Sequence, residues 1–404
     1  MDIFVARQPI FDRGRRVVAY ELLFRSGLQN SFGNTDPTVA SLSMVGTTLM
    51  GFGLDALLGD RRGFFNASRR LLVEEQWRSL PVESAVIEVL EWVSPDEEVI
   101  AACAALKAAG YQLALDDFVA SPEYEALVEY ADIIKIDFLA TPVAERAELV
   151  QRFKPRGIVM LAEKVETYED FAMALDAGYD LFQGYFFCKP EMMKGKDLAP
   201  FKGNMARLIA EMNRPELDFP RLEELIQQEV SLSVKLLRFL RSASFGWRHE
   251  VTSINQALRI LGEKAARKWA SLVVLTMIGD DKPMELVTTS LVRAQFCEEV
   301  GARLPNVDRR GDFFLVGLLS TIDALLDRPL PELLQEMSLS EDVREALRGE
   351  ATALGECLAM VTAYDQGDFS RAESLAAERG LDSEELPAAY TKSIAWVDEI
   401  FASL

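Results

Sequence analysis

"VVAYELLFRS", residues 17–26, reads as a buried β-strand in every respect but one: Glu21 stands in its middle. A carboxylate placed there loses hydration and needs a cation, a proton or a metal ion to remain. The same pattern recurs along the first half of the chain. "GFFNAS", "AVIEVLEW", "QLALDDF", "DIIKIDF", "IVMLAEKV" and "LFQGYFF" are also apolar and β-like, and each carries a polar residue late in the run. In order these are Asn66, Glu88, Asp116 with Asp117, Lys135, Glu163 and Gln183. After a first interval of 45 residues they recur every 19 to 28. That is the length of one strand–helix unit in a barrel of roughly 200–250 residues.

Amphipathic segments fill the intervals. "SPDEEVIAACAALKAAG" (94–110) opens on Ser-Pro and closes on Gly110, which reads as a capped helix. Alternation of this kind implies a parallel sheet. Seven units, preceded by the strand "DIFVARQPIFD", predict a closed (β/α)8 TIM-like barrel whose late-strand side chains converge at the C-terminal mouth. Beyond "CKPEMMKGKDLAPFKGN" the β-like runs stop and the pattern turns helical, as in "FPRLEELIQQEV", "SINQALRILG" and "EKAARKWASLVVLTMI". Ser253 with Gln256, Ser338 with Glu341 and Ser370 with Glu373 each have capping-box spacing. The fold class is therefore α/β followed by all-α, with domains over 1–197 and 198–404.

Composition removes several functions. The net charge is −21, with no basic stripe in either half, which argues against direct nucleic-acid binding. No apolar run approaches the ~18 residues of a membrane span, and the N-terminus lacks the pattern of a secretory signal, so the expected location is the cytoplasm. Cys103, Cys188, Cys297 and Cys357 are far apart with no CxxC pair. His249 is the single histidine, which excludes chemistry built on clustered imidazoles.

The ligand types point to a hard cation. Glu21, Asn66, Glu88, Asp116 and Glu163 offer only oxygen, so Mg²⁺ or Mn²⁺ is favoured over zinc. With that many carboxylates, two ions can flank the attacking water and the leaving oxygen of a phosphodiester. Lys135 can balance charge, orient a water or assist proton transfer, and Gln183 can bond a nucleobase or the water. The bland alternative is an acidic funnel stabilised by Lys135 and Arg25.

"YELLFR", "FNAS", "IEVLE", "ALDDF", "DIIKID", "AEKVET" and "FQGYFF", in that order, make residues 1–195 resemble an EAL domain, the bacterial barrel that hydrolyses cyclic di-GMP to a linear dinucleotide. Leu22 stands where the name-giving alanine does. The resemblance implies that Glu21, Asn66, Glu88, Asp116 and Glu163 are metal ligands, with Asp117 at a second ion. It implies that Lys135 is the catalytic lysine, acting with Glu21, Asp117 and Glu166, and that Arg25 and Gln183 contact substrate. "EVSLSVKLLRFLRSAS" and "SINQALRILG" make the second half resemble an HDOD domain, a relative of metal phosphohydrolases without their catalytic residues. Glu250 follows His249 where a His/Asp metal site needs aspartate, and the implied role is contact with protein partners.

One departure divides the functional expectation. Active EAL domains follow the aspartate pair with Asp-Phe-Gly-Thr-Gly, whereas this chain reads "DDFVASPEY", with no glycine from Val119 to Tyr124 and with Pro122. Loss of glycine removes easy access to positive φ. The favoured reading is a degenerate EAL domain that binds nucleotide and metal, or serves as a scaffold, coupled to the HDOD domain. The alternative is an active Mg²⁺- or Mn²⁺-dependent cyclic di-GMP phosphodiesterase.

Overall fold

Eight strands close into a barrel in chain order: β1 (Ile3–Asp12), β2 (Val17–Ser26), β3 (Arg62–Ala67), β4 (Ala85–Val89), β5 (Gln112–Leu115), β6 (Ile133–Asp137), β7 (Val159–Glu163) and β8 (Leu181–Gln183). The computed structural model describes residues 3–26, 54–189, 208, 211, 217–227, 236, 254–278, 282–304, 310–337 and 339–403. From β2 to β8 neighbouring strands are parallel, but β1 is antiparallel to both β2 and β8. This corrects the all-parallel expectation at one strand. Only a short turn separates β1 from β2, and a parallel crossover needs a dozen or more residues. The Asp12 carboxylate holds that turn, accepting from Gly14 N–H at 2.8 Å and Arg16 N–H at 2.9 Å.

The barrel interior is built in layers. Ile10, Ala19, Phe64, Val86, Ala114, Ile133 and Leu161 form one apolar layer, with Leu181 packed against it, so each of the eight strands contributes one side chain. Because alternate residues of a strand share a face, the next interior position lies two residues further toward the mouth. On β2 to β8 that position is Glu21, Asn66, Glu88, Asp116, Lys135, Glu163 and Gln183. On β1, which runs the other way, it is Gln8, two residues before Ile10. A polar layer sits directly on an apolar floor.

Between the strands, the helix Glu97–Ala108 is capped by Asp96, which accepts from Val99 N–H, and it ends before Gly110 at φ +91°. Asp96 therefore does the work expected of Ser94. The helix Tyr168–Ala177 carries a capping box of Thr167 and Asp170. The expected boxes fare differently. The helix Glu341–Leu347 has Ser340 at its N-cap, without a side-chain cap hydrogen bond. Ser370 lies inside the helix Phe369–Glu378, whose Arg371 N–H is taken by Asp368 at 3.1 Å.

The chain divides into two compact units: Met1–Lys189 with Ala363–Arg371, and Pro190–Thr362 with Ala372–Leu404. The short segment 363–371 thus belongs with the barrel, which the boundary drawn at 197 does not anticipate. The second unit is helical throughout its described residues. At its centre the helix Met284–Gly301 is buried nearly all round and packs against Arg310–Leu319 and Leu386–Ser403. His249, Glu250, Ser253 and Ser338 lie outside the described residues.

Candidate metal centre

Lys135 is the hub of the polar layer. It is 1% exposed, and its Nζ lies 2.6 Å from Glu163, 3.1 Å from Asp116 and 3.2 Å from Glu21, and contacts Glu88 as well. Around it the amides fasten the carboxylates. Asn66 Nδ2 donates to Glu21 at 3.1 Å, and Gln183 Nε2 donates to the other Glu21 oxygen at 2.8 Å. Four carboxylates therefore share one ammonium.

That imbalance shows in the proton affinities. Burial, reinforced by the neighbouring carboxylates, pushes Glu88 well above the usual carboxylate range. Burial does the same to Glu163 against the opposing pull of Lys135. Burial also acts on Asp116, but the Lys135 ammonium and hydrogen bonds from Glu88, Lys135 and Glu163 outweigh it and hold that carboxyl low. Lys135 itself is raised, since Glu163, Glu21, Glu88 and Asp116 overcome its desolvation. Without a further cation, the site keeps protons on Glu88 and Glu163 to limit its buried negative charge.

The donor set fits a divalent cation. Glu21, Glu88 and Glu163 bring carboxylate oxygens within 4.8 Å of one another, and so do Asp116, Asp117 and Glu163. The two groups share Glu163, an arrangement able to hold two hard ions. Glu88 Oε2, Asn66 Oδ1 and Gln183 Oε1 are buried with no hydrogen-bond partner. Buried polar atoms are rarely left so, and three oxygens orphaned around one cluster are what an oxygen-seeking cation would satisfy.

The loop after β5 keeps more of the site than its sequence implies. Positive φ does occur there, at Asp117 (+38°), a residue type that tolerates the left-handed region. Phe118 is buried and donates its N–H to Lys135 O at 3.0 Å, so the loop is pinned directly beneath the mouth. Asp117 is answered by Lys164, itself at φ +54°, whose Nζ lies 3.2 Å from it and also pairs with Asp137. By strand alternation Leu22 faces away from Glu21 and into apolar packing, so its extra bulk does not enter the mouth. Above the cluster opens a cavity of about 510 Å³ lined by Gln8, Glu21, Asp116, Lys135, Glu163 and Gln183, among others. Glu166 is exposed at its rim. Arg25 is the penultimate residue of β2, but its side chain lies outside the described residues.

The EAL domain family matches residues 47–190, and the HDOD domain family matches residues 198–363. Over 400 residues the chain is 36% identical to the cyclic di-GMP phosphodiesterase CdgJ of Vibrio cholerae, covering 98% of this chain and 93% of that one. The chain belongs to the EAL–HDOD family. It is also 35% identical over 404 residues to YuxH of Bacillus subtilis, at 98% of each chain. Among solved structures, the calcium and cyclic di-GMP complex of Klebsiella pneumoniae BlrP1 is 26% identical, with a TM-score of 0.38, over 46% of this chain and 55% of that one. A standalone EAL protein of Vibrio cholerae bound to cyclic di-GMP is 27% identical, with a TM-score of 0.36, over 46% of this chain and 92% of that one. No helix among the described residues is long and apolar enough to cross a membrane.

Sequence reasoning overlooks Gln8, Lys164, Tyr185 and Gln366, all of which line the cavity. Gln8 carries a readable signal. "QPI" is the polar–x–apolar mirror of the "AYE" or "VIE" of later strands, which is how the same layer looks on a reversed strand.

Proposed function

We propose that the EAL domain of this chain is a divalent-metal-dependent phosphodiesterase that opens cyclic di-GMP to the linear dinucleotide. The observation that carries this reading is the pair of carboxylate groups sharing Glu163 beneath a cavity of about 510 Å³, a volume within the roughly 300–1,000 Å³ of small-ligand sites. The relation to a cyclic di-GMP phosphodiesterase over 98% of this chain supports it. Cations bound there supply a Lewis acid to the phosphoryl oxygen and acidify a water.

The chain's own residues do the rest. Glu21, Asn66, Glu88 and Glu163 hold one ion, with Asp116 and Asp117 extending the set to a second. Mg²⁺ and Mn²⁺ fit this oxygen-only environment. Lys135, set among four carboxylates, supplies a charge and a hydrogen-bond donor at the centre of the site. Gln183 spends its amide N–H bonds on Gln8 and Glu21 and leaves Oε1 as an acceptor for a water or a base N–H. Glu166, Lys164 and Lys189 line the cavity, where the two lysines attract the anionic ligand. The HDOD domain is assigned protein partners, since one histidine supports no metal phosphohydrolase chemistry.

One observation favours the second reading, a nucleotide-binding scaffold. The Lys164 ammonium sits on Asp117, where a second cation would draw its charge partner. Incubating the purified full chain with cyclic di-GMP and Mn²⁺ distinguishes the two. Linear product that disappears in Glu21→Gln supports the enzyme, and tight binding without product supports the scaffold.

A further inference from the structure

β8 ends at Gln183, opposite Ile10, while β1 continues back to Ile3. The outer part of β1 therefore outruns its neighbour on that side. Residues 363–371 cover it. The Tyr364 hydroxyl donates to Val5 O at 3.2 Å and accepts from Val5 N–H at 3.4 Å. The Tyr364 ring is fully buried, with Phe369 edge-on at 5.1 Å. Tyr185, just beyond β8, donates its hydroxyl to Asp365 O at 2.8 Å. Gly367 has φ +80°, which favours glycine, and a Cβ there would push on the tip of Leu23, whose Cδ1 lies 2.4 Å from it.

This segment reaches the carboxylates through a relay. Gln8 Nε2 donates to Gln366 O at 3.1 Å, Gln183 Nε2 donates to Gln8 Oε1 at 3.0 Å, and the same Gln183 Nε2 donates to Glu21 at 2.8 Å. Both ends of the chain, a main-chain carbonyl and a carboxylate, can only accept. Each amide between them has one orientation that satisfies every partner, and that orientation leaves Gln183 Oε1 as the unpartnered atom. Gln366 and Leu23 line the same cavity as Glu21, Asp116 and Lys135.

We propose that residues 363–371 complete the mouth of the barrel, and that Gln8, held by the Gln366 carbonyl, is the positioning residue that sets Gln183 and through it Glu21. The nucleotide part of this inference rests on the proposed reading of the mouth as a cyclic di-GMP site. One part of the cyclic dinucleotide lies against the wall that Leu23, Tyr185 and Gln366 make. A barrel cut at residue 197 would lack the Gln366 side of this wall and the carbonyl that holds Gln8.

The test uses the full chain and two variants. Gln8→Met keeps the length and removes the relay, and Gly367→Ala displaces the segment through strain and the clash with Leu23. Three quantities are read: Mn²⁺ affinity by calorimetry, cyclic di-GMP affinity at saturating Mn²⁺, and the metal-free melting temperature. The relay ends on a charged acceptor, so its loss is expected to weaken Mn²⁺ binding by Gln8→Met roughly tenfold. The melting temperature should change little. Gly367→Ala is expected to weaken cyclic di-GMP at least as much. Variants that bind both probes like the parent, or Gln8→Met that merely melts earlier, overturn the inference. A parent that binds Mn²⁺ but not cyclic di-GMP defeats the nucleotide reading instead, and the Mn²⁺ affinity of Gln8→Met then decides the relay. Should Gly367→Ala fail to fold, Gln8→Met decides alone. A parent that binds neither probe sinks both.

Discussion

In Glu88→Gln, the fully buried carboxylate at the floor of the mouth becomes a neutral amide of nearly the same shape. In the metal-free parent Glu88 holds a proton in the folded state that the unfolded chain does not hold at neutral pH, whereas the amide of the variant is neutral in both. Lys135 loses one contact but keeps Glu163 at 2.6 Å, Asp116 at 3.1 Å and Glu21 at 3.2 Å. Escaping the cost of taking up that proton on folding is worth about 1–3 kcal/mol. For a domain of this size that raises Tm by roughly 2–12 °C in the absence of metal. The pH dependence has a definite sign. Glu88 has a folded pKa above its ordinary value of 4.5, so the native state holds a proton that the unfolded chain releases above that pH. Its contribution to stability is complete below the unfolded value and is lost as pH rises toward the folded one. The metal-free parent should therefore weaken as pH climbs from the unfolded value into the neutral range, and Glu88→Gln should escape that share of the loss. Mn²⁺ should invert the ranking. At a hundred times Kd the parent gains about 2.7 kcal/mol, and the variant, short of a ligand, gains little. Scanning calorimetry in chelator and in excess Mn²⁺ reads both arms. A variant less stable than the parent in chelator, with the same response to Mn²⁺, would refute the reasoning and leave Lys135 at the centre of a structural ion network.

If the Lys164 ammonium stands in for a second cation at Asp117, Lys164→Ala should raise bound Mn²⁺ from one to two per chain by calorimetry. An unchanged stoichiometry would detach Lys164 from the metal question. Replacing Val119, Ala120 and Ser121 by Gly-Thr-Gly should change cyclic di-GMP hydrolysis by less than about tenfold, because Asp117 already supplies the positive φ and Phe118 pins the loop. A larger gain in turnover, followed by chromatography, would return the defect to the loop.

Much of this site was legible because strand periodicity is strict. Ala19 and Glu21, Val86 and Glu88, Ala114 and Asp116, Ile133 and Lys135, and Leu161 and Glu163 are each two residues apart. A buried strand with a polar residue at its mouth end can only mean a polar layer on an apolar one. Gln8 escaped because strand direction is not written in composition, and reversing β1 reverses the order of its apolar and polar residues. Tyr364 to Gly367 escaped for a different reason. Their partners Val5, Gln8 and Leu23 lie more than 300 residues away in sequence, beyond any local pattern. Asp117 and Lys164 hold left-handed backbone without glycine, a choice that tertiary ion pairing permits and propensity alone does not reveal. Ser370 has capping spacing, yet Asp368 sits at the helix start, since the spacing motif leaves the boundary free by a residue or two.

The central claim is that the polar layer of the barrel binds a divalent cation and cyclic di-GMP together. Calorimetric titration of cyclic di-GMP into the full chain, with and without Mn²⁺, tests it most directly when products are read from the same cell by chromatography. The account predicts saturable binding that requires Mn²⁺, linear dinucleotide as product, and loss of both in Glu21→Gln. Binding of equal strength in chelator, or no binding at millimolar Mn²⁺, would contradict it.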